Sequence, residues 1–270
     1  YFAKLGYLMG KNLPGVLMGV WENVKHTWWT WQGTYSSIFL MSLVPLVWGE
    51  QYYFWGLLFI LLLLIGGVFA LVKALVVDVL QGGWQQCLYI QAVTAALVVE
   101  LMYYPAEGLF WYNGGIHYVG MHGFAMLLLA SLICLSEGKK GRIRNGLLIA
   151  ASMILSLIVA GSNYVTALQT FLVFLTIMVA GALLHRNIKG LLRLVPAFFV
   201  YSIGFYKNLA APGNTARAEA LGNPGMAPLQ AILFSFKEAF SIYFIPSPPC
   251  FLQKICDSLS MVNCIILLLS

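Results

Sequence analysis

Charge is what this sequence most lacks. Asp, Glu, Lys and Arg make up 9% of its 270 residues, against about 25% in soluble domains. Hydrophobic residues make up 61%, and the mean hydropathy is +0.85. A surface so poor in charge would not stay dissolved, which excludes a soluble globular domain. The net charge of +6 is no nucleic-acid signal, because the basic residues cluster in short connections between apolar runs, where they set orientation. There is no Walker loop, dinucleotide fingerprint, HExxH or GxSxG, so a P-loop ATPase or a zincin has no support. The five cysteines (87, 134, 250, 256 and 264) have no CxxC spacing and no His near enough to complete a zinc pattern. They read as buried apolar thiols. Glu100 is the exceptional carboxylate inside an apolar run, so the ladder of ionisable groups of a proton-coupled transporter is missing. No internal repeat is evident.

What is present is a series of long apolar runs. A spanning helix needs about 20 such residues. The runs predict an all-α, polytopic transmembrane helix bundle with about seven or eight spans: 52–77, 85–104, 117–136, 144–161, 164–184, 190–206, 229–245 and a truncated one from 259. The run 38–47 is too short to cross and contains Pro45, so it predicts an interfacial or re-entrant helix. The domain expectation is a single transmembrane domain over 1–270, with 1–51 as an external loop carrying the interfacial helix and 52–270 as the bundle. The chain opens at Tyr1 without a signal-peptide pattern and stops within "MVNCIILLLS". That predicts a piece truncated at both ends.

Orientation follows from the basic connections. "EGKKGRIRN" (137–145) and "HRNIKGLLR" (185–193) are expected on the cytoplasmic side. They lie two spans apart, as alternation requires. The opposite face then receives 1–51, the 104–117 loop, the turn at 161–163, and 207–228. Nearly all the unusual polar sequence falls there, which places the working face outside the cytoplasm.

Each outer loop admits a structural and a functional reading. In the first, Trp28, Trp29 and Trp31 precede Gly33 and Tyr35. Indoles favour the membrane interface, or they form a platform for a sugar or isoprenoid. Glu22 and His26 are i,i+4 neighbours and can pair on a helix; Glu50 reads as an interfacial carboxylate. The second loop, "FWYNGGIHYVG" (110–120), holds Trp111, Tyr112, Asn113, Gly114, Gly115, His117 and Tyr118. Its glycines permit positive φ and close approach of a ligand, and Asn113 and His117 can read hydroxyl groups. Glu107 is its one carboxylate, either solvated or a general base. The alternative is a turn with an aromatic belt. In the third loop Ser162, Asn163 and Thr166 can cap the next helix, and Asn163 would face the same cavity as Asn113. The fourth combines turn residues, Asn214 among them, with Arg217 and Glu219. Arg217 is either a phosphate ligand, through its planar fork, or a cation that is solvated or paired with Glu219.

The order "WQGTY", "FWYNGGIHY", "GSNYVTAL", "PGNTAR" resembles a family of bacterial polytopic membrane proteins akin to the GT-C glycosyltransferases, the O-antigen glucosyltransferase-like group. The resemblance covers roughly residues 1–225. It implies a bacterial cytoplasmic (inner) membrane enzyme with its active face extracytoplasmic. Such an enzyme transfers a sugar from a polyprenyl-phosphate donor to a cell-surface glycan. The lipid bilayer, the lipid-linked sugar and the glycan acceptor are its expected partners, with no nucleic acid. It also implies an acidic residue just after a first span, acting as base or as ligand of a divalent metal ion. In this sequence that acid would precede Tyr1, and Glu22, Glu50 and Glu107 are substitutes by position. The substrate-binding set expected is Trp31, Tyr35, Trp111, Tyr112, Asn113, His117, Asn163, Asn214 and Arg217. A chain lacking the acid is expected to be inactive by itself. The competing readings are a flippase or transporter of a lipid-linked sugar and a non-catalytic membrane scaffold.

Overall fold

The computed structural model describes residues 4, 12–102, 104–137, 141–183 and 188–222, with 230, 233, 234 and 237 singly. These are helical, with no strand among the described residues. In chain order the helices are α1 (Leu13–Thr30), α2 (Tyr35–Ser42), α3 (Tyr53–Lys73), α4 (Trp84–Glu100), α5 (Tyr112–Glu137), α6 (Arg142–Ala160), α7 (Tyr164–Leu183), α8 (Ile188–Leu209) and α9 (Pro212–Ala220). A π-helical stretch, Ala74–Val79, prolongs α3, and another, Ile116–Gly120, lies within α5.

Four helical runs are long and apolar enough to cross a membrane among the described residues: Glu50–Val79, Tyr112–Glu137, Arg142–Ala160 and Tyr164–Leu183. This is a membrane protein with a helical bundle. The expected span 85–104 is the 17-residue helix α4, which ends at Glu100. The expected span 190–206 is α8, which starts earlier and contains Pro196. The expected spans at 229–245 and from 259 lie outside the described residues, apart from single positions.

Small residues set the packing. The α3 and α5 helices run parallel, with Gly56 against the Tyr112 ring at one end and Ala74 packed with Ala130 at the other. Between them, a Cβ on Gly67 would stand 2.7 Å from Gly123 O, and one on Gly123 2.7 Å from Leu63 O. The two backbones touch, the device by which membrane helices gain van der Waals contact without a hydrophobic driving force. Parallel neighbours need a return path, and α4 provides it. It runs back along α3, where Gln91 Nε2 donates to Phe69 O at 2.7 Å. The core of the other half joins α5, α6, α7 and α8 through Leu128, Leu132, Val159, Phe174, Leu194 and Tyr201.

The 1–51 segment departs from the expected loop. Residues 13–30 form a helix whose Val16, Val20 and Val24 recur every fourth position and are buried, a one-sided stripe that packs on its neighbours. Asn12 caps it, its Oδ1 accepting from Gly15 N at 2.9 Å. The expected interfacial element at 38–47 is the eight-residue α2 followed by a 3-10 turn at Pro45–Val47. At 1.5 Å per residue α2 is about 12 Å long, too short to cross. Likewise 212–220 is the helix α9, not a loop. Pro212 in its first turn is compatible with a helix start.

Candidate functional site

A cavity of about 350 Å³ opens where α5 and α7 begin. It is lined by Gln32 and Thr34 ahead of α2, Met41 in α2, Trp111, Asn113, Gly114, His117 and Tyr118 around the start of α5, Asn163–Val165 and Arg217 of α9. Residues from four separate polar connections therefore meet at one place. The N-termini of two long helices border it, and such ends favour negative charge.

Hydrogen bonds hold this assembly. Asn163 Oδ1 accepts from Thr166 N at 2.9 Å and caps α7, while its Nδ2 donates to His117 O at 2.7 Å. One amide thus joins the starts of α5 and α7. His117 Nδ1 lies 2.9 Å from Ser37 Oγ. Gly33 N donates to Asn214 Oδ1 at 2.9 Å and to the Tyr164 hydroxyl at 3.2 Å; that hydroxyl in turn donates to Asn214 Oδ1. Gly33 lies so close to Asn208 O that a side chain there would collide with backbone. Asn214 Nδ2 donates to Asn208 O at 3.0 Å and Leu209 O at 2.9 Å, tying α9 to the end of α8.

Arg217 supplies the one charged side chain in the lining among the described residues. Its guanidinium donates to Gln32 Oε1 at 2.7 Å and stands over the Trp31 ring, 5.6 Å from the centroid. Half-buried, it makes no ion pair with a carboxylate among the described residues. The Glu219 pairing weighed from sequence is absent; both residues sit on α9, and Arg217 turns to Gln32 instead. Thr34 is 1% exposed, and its Oγ1 has no hydrogen-bond partner. A buried hydroxyl left unpaired costs about 1–3 kcal/mol, so a ligand atom supplying its bond would be favoured.

The remaining expected residues divide. Asn113, His117, Trp111, Asn163 and Arg217 line the cavity. Trp31 lies under Arg217 at its rim, and Asn214 braces it. Tyr112 and Tyr35 serve the packing. The Tyr112 hydroxyl donates to Leu40 O at 3.1 Å, and that of Tyr35 to Leu157 O at 2.9 Å. Burial pushes the Tyr35 phenol above its ordinary range, so it stays neutral. Gly114 and Gly115 have helical, not positive, φ. They serve close packing: a Cβ on Gly115 would stand 2.8 Å from Gly108 O.

The three expected carboxylates are not brought to the cavity. Glu22 pairs with Lys25 at 2.6 Å on the exposed side of α1, not with His26. Glu50 opens a 3-10 turn and is exposed. Glu107 is exposed in a π-helical turn before α5. No carboxylate lines the cavity among the described residues, and no group of three or more His, Cys, Asp or Glu could hold a metal ion among them. Sequence reasoning missed Gln32, Thr34 and Tyr164. Their shared signal was proximity in sequence to residues it did select.

A second, apolar groove of about 450 Å³ lies on the other side of α2. Trp21, Trp28 and Trp29 of α1, Phe39 of α2, Phe124 of α5 and Leu157 of α6 line it. Thus α2 and its lead-in contribute to both sites, Tyr35, Ser36, Phe39 and Leu40 lining the groove and Thr34 and Met41 the cavity.

The chain matches no protein-family model, no curated protein and no solved structure.

Proposed function

We propose that this chain is a membrane glycosyltransferase of GT-C-like type, with seven or eight spans, whose cavity holds the phosphate-sugar head of a polyprenyl-phosphate donor. The sugar goes to a cell-surface glycan on the extracytoplasmic face of a bacterial inner membrane. The observation that carries this reading is the convergence of four polar connections on one cavity that presents Arg217 and, among the described residues, no carboxylate. A phosphate is attracted by the guanidinium and by the two helix N-termini. The amide, imidazole and hydroxyl groups of Asn113, His117 and Thr34 suit a ligand rich in hydroxyls. The Trp-lined groove across α2 suits a hydrocarbon chain. The orientation rests on Arg142 and Arg144 at the start of α6, the end of that helix remote from the cavity.

A second reading is a flippase of the same lipid-linked sugar, which binds the head group without breaking its bond; the cation, amide and hydroxyl groups of the lining suit such binding as well. The test is sugar transfer from polyprenyl-phosphate donors by the protein in membranes, comparing wild type with Arg217→Ala and Glu107→Ala. Transfer that is lost in inserted Arg217→Ala protein supports the transferase. Loss in Glu107→Ala as well moves the base to Glu107. Donor binding and translocation without transfer by the wild type supports the flippase.

A further inference from the structure

We propose that His117 is the proton acceptor of this cavity, in place of a carboxylate, and that Ser37 is the positioning residue that fixes its tautomer. The inference rests on the reading of the cavity as a site of transfer to a hydroxyl group.

Ser37 is 0% exposed. Its Oγ donates to Thr34 O at 3.1 Å. With the one hydrogen of the hydroxyl on Thr34 O, Ser37 Oγ accepts from His117 Nδ1, 2.9 Å away, and the ring hydrogen belongs on Nδ1; the reverse arrangement, with Ser37 donating to Nδ1, is what the NMR experiment below tests for. In the neutral imidazole the lone pair is then on Nε2, which has no hydrogen-bond partner among the described residues. The backbone at this point is held too, His117 O accepting from Asn163 Nδ2 at 2.7 Å. The Tyr118 ring stands edge-on to the imidazole with centroids 4.7 Å apart. His117 also lies in the π-helical stretch Ile116–Gly120, a local widening that is frequent at functional sites. A second polar atom waits in the same lining, the buried and unpartnered Thr34 Oγ1. An imidazole held through Nδ1, whose Nε2 has no partner among the described residues and whose ring belongs to the lining of a ligand-sized cavity, is placed to act as a general base.

The step balances as follows. Nε2 takes the proton of the acceptor hydroxyl while that oxygen bonds to the anomeric carbon. The bond from this carbon to the phosphate oxygen breaks. Its electron pair leaves with the lipid phosphate, whose charge Arg217 stabilises. Imidazolium forms, and it loses its proton to water before the next turnover.

The experiment uses the full chain in lipid nanodiscs, a polyprenyl-phosphate sugar as probe, and nitrogen-15 NMR of labelled histidine. The expected spectrum of His117 shows Nδ1–H with a bare Nε2, and Ser37→Ala mixes the two tautomers. His117→Asn keeps an N–H for Ser37 but has no basic nitrogen. It is expected to lower kcat for sugar transfer about 10²- to 10⁴-fold, a loss well beyond any fall in donor affinity measured beside it. Ser37→Ala is expected to lower kcat and displace the pH profile while KM for the donor holds. An Nε2–H ring in a protein that transfers sugar overturns the proposal alone, as does full transfer by His117→Asn. A wild type that binds no donor overturns the transferase reading and the proposal with it.

Discussion

Arg217 and Gln32 are 185 residues apart in the chain and 2.7 Å apart in space, the guanidinium donating to the amide oxygen. The bond joins α9 to the segment before α2 and leaves the cation in the cavity paired with a neutral acceptor. A neutral partner keeps the positive charge available to an anion, whereas a carboxylate would cancel it. Gln32→Glu is therefore expected to weaken binding of a polyprenyl phosphate more than Gln32→Ala does. A charge-assisted bond is worth about 1.5–3 kcal/mol, so roughly a tenfold to hundredfold loss is expected for Gln32→Glu. Titration of both variants in nanodiscs checks it, and equal losses would mean that Arg217 does not meet the phosphate.

Thr34 allows the cavity to be tested without touching a charge. Its Oγ1 is buried and unpartnered, so Thr34→Val removes a group that the empty protein does not use. Thermal stability of the ligand-free protein is expected to hold or rise, because an unpaired buried hydroxyl is a cost of about 1–3 kcal/mol. Affinity for a sugar-phosphate head is expected to fall. A drop in ligand-free stability would show that the hydroxyl has a partner within the protein.

Much of this architecture was legible because apolar length is a strong signal in lipid. The runs at 53–73 and 164–183 are helices nearly as read. Weaker patterns were lost among polar neighbours. The Val16, Val20, Val24 stripe of α1 is interrupted by Trp, Glu and Asn, and the eye follows those. "PGNTARAEA" reads as a turn from Pro, Gly and Asn, although its later residues are good helix formers. In the site, Arg217, Asn113, His117 and Asn163 stood out because polar residues are scarce. Thr34 and Gln32 did not, since what distinguishes Thr34 is burial of an unpaired hydroxyl and what distinguishes Gln32 is a partner 185 residues away. Tyr35 and Tyr112 misled in the opposite direction. Their hydroxyls satisfy carbonyls of α6 and α2, a task invisible until those helices are packed.

Asn208 anchors the cavity end of the bundle. It is 0% exposed, and its Nδ2 donates to Ala160 O and Ser162 O, each at 2.9 Å. These carbonyls close the α6–α7 turn. Asn208→Leu would leave both without this donor, at about 1–3 kcal/mol each by the cost of buried unsatisfied groups. A lowered midpoint of thermal unfolding in detergent is expected. The turn also positions Asn163, so donor affinity should fall in the same variant; unchanged unfolding would show that water replaces the amide.

The face assignment can be checked by labelling. Glu107 precedes α5 and Glu219 lies in α9, near the cavity; both are exposed. Arg142 begins α6 at the far end and is exposed as well. In a Cys-free background, Glu107→Cys and Glu219→Cys are expected to react with a membrane-impermeant maleimide in intact cells. Arg142→Cys should react only after the membrane is opened. The inverse pattern would put the cavity on the cytoplasmic side, against the charge bias of the connections.

Gly67 and Gly123 give the sharpest structural test, since their backbones approach within contact distance across α3 and α5. A methyl on Gly123 would sit 2.7 Å from Leu63 O and one on Gly67 2.7 Å from Gly123 O. Neither neighbour can yield as a flexible side chain would, because both are backbone. Separating the helices sacrifices contacts along their whole length, including Gly56 against Tyr112 near the cavity. Gly123→Ala is expected to destabilise by about 1–3 kcal/mol, the usual cost of overpacking a close contact, and Gly123→Val by more. Gly66 is the control. It lies one residue from Gly67, and a Cβ there meets nothing within 4 Å. Gly66→Ala should leave stability unchanged or raise it slightly through better helix propensity. Equal losses at Gly66 and Gly123 would mean that helix–helix approach is not what the glycines serve.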